Sequence, residues 1–228
     1  IVATGSEALD FLVQNRAVLF PQIPIVHAAV PSSQVQSLQP LPADIVGVSV
    51  TVDVRNTIEQ ALRWARGAGL TITIDKIGNG FLRRPGRNNS LPPVVTGSHI
   101  DTQPTGGKFD GVLGVLGALE AMRTLVDMGY ETNAPIMIVN WTNEEGSRFA
   151  PAMLCSGVYA GVFTTEFAYS REDRQGIKLG DELARIGYRG KHKAGDIKFQ
   201  AMFELHIEQG PILEAEAKMI GVVTGVQG

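Results

Sequence analysis

Three apolar stretches of this chain each lead into a histidine or a carboxylate, and that placement constrains the fold more than any other feature. Pro93-Val94-Val95-Thr96-Gly97-Ser98 leads to His99 and Asp101. Ile136-Met137-Ile138-Val139-Asn140-Trp141 leads to Glu144 and Glu145, and Ala201-Met202-Phe203-Glu204-Leu205 leads to His206. Short apolar runs rich in β-branched and aromatic residues read as strands. In open α/β sheets, ligands gather beyond the C-terminal ends of the strands. Imidazole and carboxylate together suit Zn²⁺ and its neighbours, and water held by such a metal becomes a nucleophile near neutral pH. The pattern points to metal-dependent hydrolytic chemistry.

Helical patterns alternate with these strands. Ser6 to Phe20 has helical spacing with Ser6 at its N-cap, and a second helix runs from Asp53 through Ala65, closed by Gly67 and Gly69. Further strands are expected at Pro24–Val30, Ile45–Val52 and Leu70–Asp75, the last with Phe81–Arg84 as its hairpin partner. Residues 31–43 read as a loop. A helix from about Gly111 to Met128 carries Gly111, Gly114 and Gly117, which suggests close packing on a sheet. One more helix is expected from Lys178 to Ile186. Alternating strands and helices argue for an α/β fold, a three-layer sandwich with a largely parallel central sheet.

The bulk properties exclude several classes. The 228 residues carry a net charge of -3 and no basic stripe, so nucleic acid is not an expected partner. A single cysteine, Cys155, rules out a disulfide framework. No apolar run approaches the ~18 residues of a membrane helix, no signal peptide is visible, and the simplest compartment is the cytoplasm.

Each candidate also has an ordinary structural reading. His99 and Asp101 are two apart, so in an extended chain both face one way. His99 can then bind a metal while Asp101 fixes the imidazole or a neighbouring base. Asp110 follows the Gly-rich loop Thr105–Asp110 and precedes a helix, where the ordinary role is an N-cap. Glu144 and Glu145 at a strand end would otherwise form a solvated loop. With a cation present, one binds it and the other keeps a raised pKa as general base. His206 alone could be a core histidine satisfied by backbone. His27 and His192 stand apart from the constellation and read as structural or surface residues. Arg83-Arg84-Pro-Gly-Arg87 reads as a solvated turn.

From about Gln60 to Gly228 the chain resembles the dinuclear-metal amidohydrolases related to aminoacylase and glutamate carboxypeptidase. Within these it is most similar to the N-carbamoyl-L-amino-acid hydrolases, β-ureidopropionases and allantoate amidohydrolases. The resemblance rests on three stretches: Thr96 to Gly111, Asn140 to Pro151, and His206 to Glu214. It implies a zinc-exopeptidase-like catalytic domain and two divalent ions, Zn²⁺ or Mn²⁺, with Co²⁺ and Ni²⁺ also suited to such ligands. His99, Asp110 and His206 would bind one ion, and Asp110 would bridge to a second held by Glu145. Glu144 would be the general base, Asp101 would support His99 and the base, and Gln209 would contact substrate. The implied reaction is hydrolysis of a linear amide or ureido C–N bond of a small molecule, of the N-carbamoyl amino acid or allantoate type. The family is usually homodimeric through a lid domain that also supplies substrate-carboxylate binders. On this resemblance the chain reaches Gly228 about where that lid begins, without the distal histidine of the second metal.

Residues 1–58 depart from the pattern and resemble part of a periplasmic-binding-protein-like sensor. The chain therefore divides into an atypical N-terminal α/β segment, 1–58, of the kind a fusion would give, and the first part of a metallohydrolase catalytic domain, 59–228. Two alternatives stand beside the enzyme reading: a small-ligand sensor acting through residues 1–58, and a metal-binding remnant without catalysis. Metal content separates the three.

Overall fold

A computed structural model of the chain describes residues 2–4, 13–14, 25–31, 45–50, 54–103, 107 and 109–225. Most of the helix expected over Ser6–Phe20, and of the loop expected over 31–43, lies outside these residues. The chain forms two compact units, Ile1–Asn56 and Thr57–Gly228. In the first, β1 (Val2–Thr4), β2 (Ile25–Pro31) and β3 (Ile45–Val50) pair in parallel in that order.

The second unit opens within α1 (Val54–Gly67). Ala61 and Ala65 on this helix are buried, while Arg63 and Trp64 are exposed, as an amphipathic helix requires. The turn after it carries Gly69 at φ 75°, and the Leu70 N–H reaches back to the Ala65 carbonyl at 3.0 Å. A five-stranded sheet follows, built from β4 (Thr71–Ile74), β5 (Gly80–Arg84), β6 (Val94–His99), β7 (Ile136–Trp141) and β8 (Ala201–Phe203), in the order β4-β5-β7-β6-β8. β7, β6 and β8 run parallel, and the β4–β5 hairpin joins antiparallel to β7. Four of the six strand pairings in the two sheets are parallel. Arg83 and Arg84 lie in β5 rather than in a turn.

Register places the chemistry. His99 is opposite Trp141, so β6 and β7 end together, and the residues after each strand emerge side by side. β8 pairs only with Val94 to Thr96, and the chain leaves it two residues earlier than expected, before Glu204.

α2 (Asp110–Asp127) connects β6 to β7 and packs on β6. Its glycines act as expected of a helix pressed on a sheet. A Cβ on Gly114 would lie 2.6 Å from the Leu205 carbonyl oxygen and 2.7 Å from Ser98 Cβ. One on Gly111 would lie 2.2 Å from His99 Cδ2. Phe81, Val95, Met137, Val139 and Trp141 form a buried cluster with Tyr159 and Phe199 packed against it. A second cluster joins Ile77, Phe149, Leu154, Cys155, Val158, Leu179 and Leu183. It is assembled by three short helices, α3 (Leu154–Ala160), α4 (Thr165–Tyr169) and α5 (Leu179–Arg185). α5 lies within the range expected for it, whereas α3 and α4 were not anticipated. A last short helix, α6, spans Ile212–Ala215. No helix among the described residues is long and apolar enough to cross a membrane.

Candidate metal centre

His99 is the last residue of β6 and is 3% exposed. Its Nδ1 lies 2.8 Å from the Asp101 carbonyl oxygen. A carbonyl only accepts, so this contact places a proton on Nδ1 and turns Nε2 toward the other candidate ligands. His206, just past β8, repeats the arrangement, with its Nδ1 2.9 Å from the Ile207 carbonyl. Its Nε2 faces Asp110 Oδ1 at 3.3 Å. Histidines whose second nitrogen is held by a carbonyl are the form in which imidazole binds metals.

Asp110 is the first residue of α2, with Phe109 in the N-cap position. The ordinary N-cap reading of Asp110 is therefore not realised: the carboxylate meets His206, and it accepts from Gln209 Nε2 at 3.0 Å. Gln209 thus holds a candidate ligand. Ligand atoms of His99, Asp110 and His206 lie within 4.8 Å of one another, and so do those of His99, Glu144 and Glu145. Ligand atoms around one tetrahedral Zn²⁺ are spaced about 3.3 Å apart, given bonds of about 2.0–2.1 Å. The His206–Asp110 separation already matches, and the donor set of two imidazole Nε2 atoms and facing carboxylates fits a divalent cation.

The glutamate pair sits in a loop braced on several sides. Asp101 Oδ1 accepts from the Glu144 N–H at 3.2 Å, and Oδ2 from the Glu145 N–H at 3.1 Å. Asn143, at φ 52°, donates through Nδ2 to the Phe149 carbonyl at 2.7 Å. Gly146 has φ 66°, and a Cβ there would lie 2.5 Å from Ala152 N, so the turn has room only for glycine. Glu144 Oε2 is 3.5 Å from His99 Nε2. Glu145 accepts from Gln103 Nε2 at 2.9 Å.

Electrostatics favour a cation here. Burial raises the Glu144 pKa, and the neighbouring Asp101, Glu145 and Glu204 carboxylates raise it further, against the pull of His99. Burial also raises Glu145, helped by Asp110 and opposed by the Gln103 hydrogen bond. Asp101 is raised by burial against its two amide donors. Facing carboxylates that raise one another are the arrangement that a cation relieves.

All these groups except Asp101 line one cavity of about 610 Å³, within the range of small-molecule sites. Gln103 and Glu204 also line it and were not singled out from sequence. Glu204 stands two residues before His206 on the strand pattern, a spacing that could have marked it. Its carboxylate accepts from the buried Ser98 hydroxyl. His192 is elsewhere, where its carbonyl accepts from the Lys76 N–H at 2.7 Å. His27 lies in β2 of the first unit.

The chain is similar to an N-carbamoyl-L-amino-acid amidohydrolase of Rhizobium meliloti, with 62% identity over 165 residues, 72% of this chain and 40% of that protein. A ureidoglycolate hydrolase of Oryza sativa subsp. japonica is 41% identical over 180 residues, covering 73% of this chain and 37% of that protein. Among solved structures, an amidase of the hydantoinase/carbamoylase family from Burkholderia multivorans aligns with a TM-score of 0.71 at 58% identity, over 72% of this chain and 40% of that one. The chain thus spans about 40% of the length of such relatives. These comparisons lend no support to a sensor-like reading of residues 1–58. Residues 95–225, which hold every member of the cluster from His99 to Gln209, match Peptidase family M20/M25/M40, and the chain belongs to that family.

Proposed function

We propose that the chain carries the metal-binding core of a hydrolase that cleaves a linear amide or ureido C–N bond in a small molecule, of the N-carbamoyl amino acid or allantoate type. The observation that carries this reading is the convergence of His99, Asp110, Glu144, Glu145 and His206 on one cavity. The names of the relatives agree with it. On this reading residues 59–228 are the first part of the catalytic domain and residues 1–58 an atypical N-terminal segment.

His99, Asp110 and His206 would hold one divalent cation, and Asp110 with Glu145 a second, Zn²⁺ or Mn²⁺ being the best suited. Such cations supply Lewis acidity, acidifying water and polarising the scissile carbonyl. Glu144, with its raised pKa and its carboxylate beside His99, takes the proton of the attacking water. It then returns that proton to the departing nitrogen. For an N-carbamoyl substrate the C–N bond breaks to give the free amine and carbamic acid, which separates into CO₂ and ammonia. Asp101 holds the backbone of Glu144 and Glu145. Gln209 orients Asp110 and lines the cavity that substrate would enter.

The test is cation titration of the chelator-stripped chain by calorimetry, with hydrolysis of an N-carbamoyl amino acid followed in parallel. One tightly held and one weaker equivalent are expected, and His99→Ala and His206→Ala should abolish the tight one. Absence of uptake, or uptake that ignores both substitutions, overturns the reading.

A further inference from the structure

The turn joining β4 to β5 contains a buried polar pair that no role in the metal cluster accounts for. Asp75 is 1% exposed and Asn79 is 0% exposed. Every polar position of the Asn79 amide is used. Its Nδ2 donates to Asp75 Oδ2 at 3.0 Å and to the Cys155 carbonyl at 3.1 Å, and its Oδ1 accepts from the Thr142 N–H at 3.1 Å. Asp75 Oδ1 accepts from the N–H groups of Ile77 at 3.0 Å and Asn79 at 2.9 Å. Thr142 adds a second tie, its hydroxyl donating to the Gly78 carbonyl at 2.7 Å.

Thr142 is the first residue after β7 and stands two before Glu144. The residues that follow it are in uncommon backbone conformations or braced by side chains, as shown above for Asn143, Glu144 and Gly146. A buried carboxylate and amide are not needed for bulk stability, since apolar groups of similar shape can replace a satisfied polar pair at little cost. A fully satisfied network specifies one arrangement instead. Asn79 has three bonds to three separate segments, the turn itself, the end of β7 and α3, and therefore fixes where the chain exits β7.

We propose that Asp75 and Asn79 are positioning residues, which act through Thr142 to set the direction of the Glu144–Glu145 turn toward His99. Their functional consequence rests on the reading of the glutamates as base and metal ligand. The positioning itself is a statement about the turn, and it can be measured without metal.

The test compares the wild-type chain with Asn79→Leu and with the double exchange Asp75→Asn/Asn79→Asp. The exchange retains one carboxylate and one amide in contact and still offers Thr142 an acceptor, while the donor to the Cys155 carbonyl is replaced by a carboxyl oxygen that restores that bond only when it carries a proton. Two readouts are taken: amide hydrogen exchange of residues 142–146 in the metal-free chain, with Val95 and Val139 as core controls, and Co²⁺ titration followed by visible absorption. Asn79→Leu should speed exchange at 142–146 by roughly tenfold or more with the core controls unchanged. It should weaken Co²⁺ binding by roughly tenfold or more and alter the spectrum. The double exchange should recover most of both effects. Wild-type exchange at 142–146 in Asn79→Leu overturns the proposal. If Asn79→Leu loosens the core as well, the double exchange decides: recovery supports the proposal, and failure to recover with an intact core overturns it. If the wild-type chain takes up no Co²⁺, the metal reading fails, and the exchange data alone still decide the positioning.

Discussion

Asp101 turns its carboxylate toward Glu145 rather than toward His99. Its Oδ2 accepts the Glu145 N–H at 3.1 Å, whereas its Oδ1 lies 3.7 Å from His99 Nδ1, which meets the Asp101 carbonyl at 2.8 Å instead. One residue thus sets the imidazole with its backbone and the glutamate loop with its side chain.

The two functions can be separated by Asp101→Asn. The carbonyl contact to His99 survives, but an amide NH₂ now faces one of two backbone N–H groups. Zn²⁺ affinity should fall by ~10-fold, as is usual when a group that orients metal ligands is altered. Affinity equal to wild type would show that the glutamate loop holds its shape without the carboxylate.

The glutamate pair should divide by role. If the proposed function holds, then in a version that includes the lid and the distal histidine Glu144→Gln is expected to retain cation uptake and to lower hydrolysis of N-carbamoyl amino acids by ~10²–10⁴-fold, the usual cost of losing a general base. Glu145→Gln should lose the weaker cation, and excess metal should partly restore activity. Metal content and turnover measured on the same samples distinguish the two. If Glu144→Gln sheds metal and Glu145→Gln does not, the roles are exchanged.

Gly111 is where α2 touches the candidate metal centre. A Cβ there would stand 2.2 Å from His99 Cδ2 and 2.3 Å from Nε2, so Gly111→Ala must push the imidazole or the helix away. Overpacking of this kind costs about 1–3 kcal/mol. The sharper consequence is that Zn²⁺ should no longer raise the melting temperature of the variant. Gly107→Ala, with nothing among the described residues within 4 Å of the added carbon, serves as the control and should respond to Zn²⁺ as wild type does.

Asp75 makes stability depend on pH. Burial pushes its pKa up to about 6 from 3.8, outweighing the hydrogen bonds from Asn79, Ile77 and Gly78. The folded state therefore holds a proton that the unfolded chain releases. This contribution is fully present below about pH 4 and is lost as pH rises through about 6. At 1.36 kcal/mol per pKa unit the change is about 3 kcal/mol. Asp75→Asn cannot titrate, so denaturant unfolding of that variant between pH 4 and 7 should lose this part of the slope. A slope equal to wild type would mean that Asp75 ionises in the fold as it does in water.

Much of the site was legible because its residues follow strands. His99, Glu144 and Glu145 stand at or just past the ends of β6 and β7, and a short apolar run that gives way to polar residues marks such ends without knowledge of the fold. The glycines of α2 were legible for a related reason: three in one helix are costly unless something lies close, and His99, Ser98 and Leu205 do. α3 and α4 were not legible. They span 7 and 5 residues, and α3 contains a glycine and follows Met153 at φ 53°, so neither offers the periodicity of a long amphipathic helix.

The chain's own pattern thus marked most of the residues that gather in the candidate metal centre, because ligand types and strand ends are local properties. The tertiary structure decided their pairings. That Asp101 braces the glutamates, that Gln209 holds Asp110 and that Asn79 ties the β4–β5 turn to Thr142 join residues 43, 99 and 63 positions apart. No local propensity encodes such contacts. They exist because strand pairing, parallel among β6, β7 and β8 and antiparallel between β5 and β7, brings distant segments to one edge, where each buried polar group must find a partner.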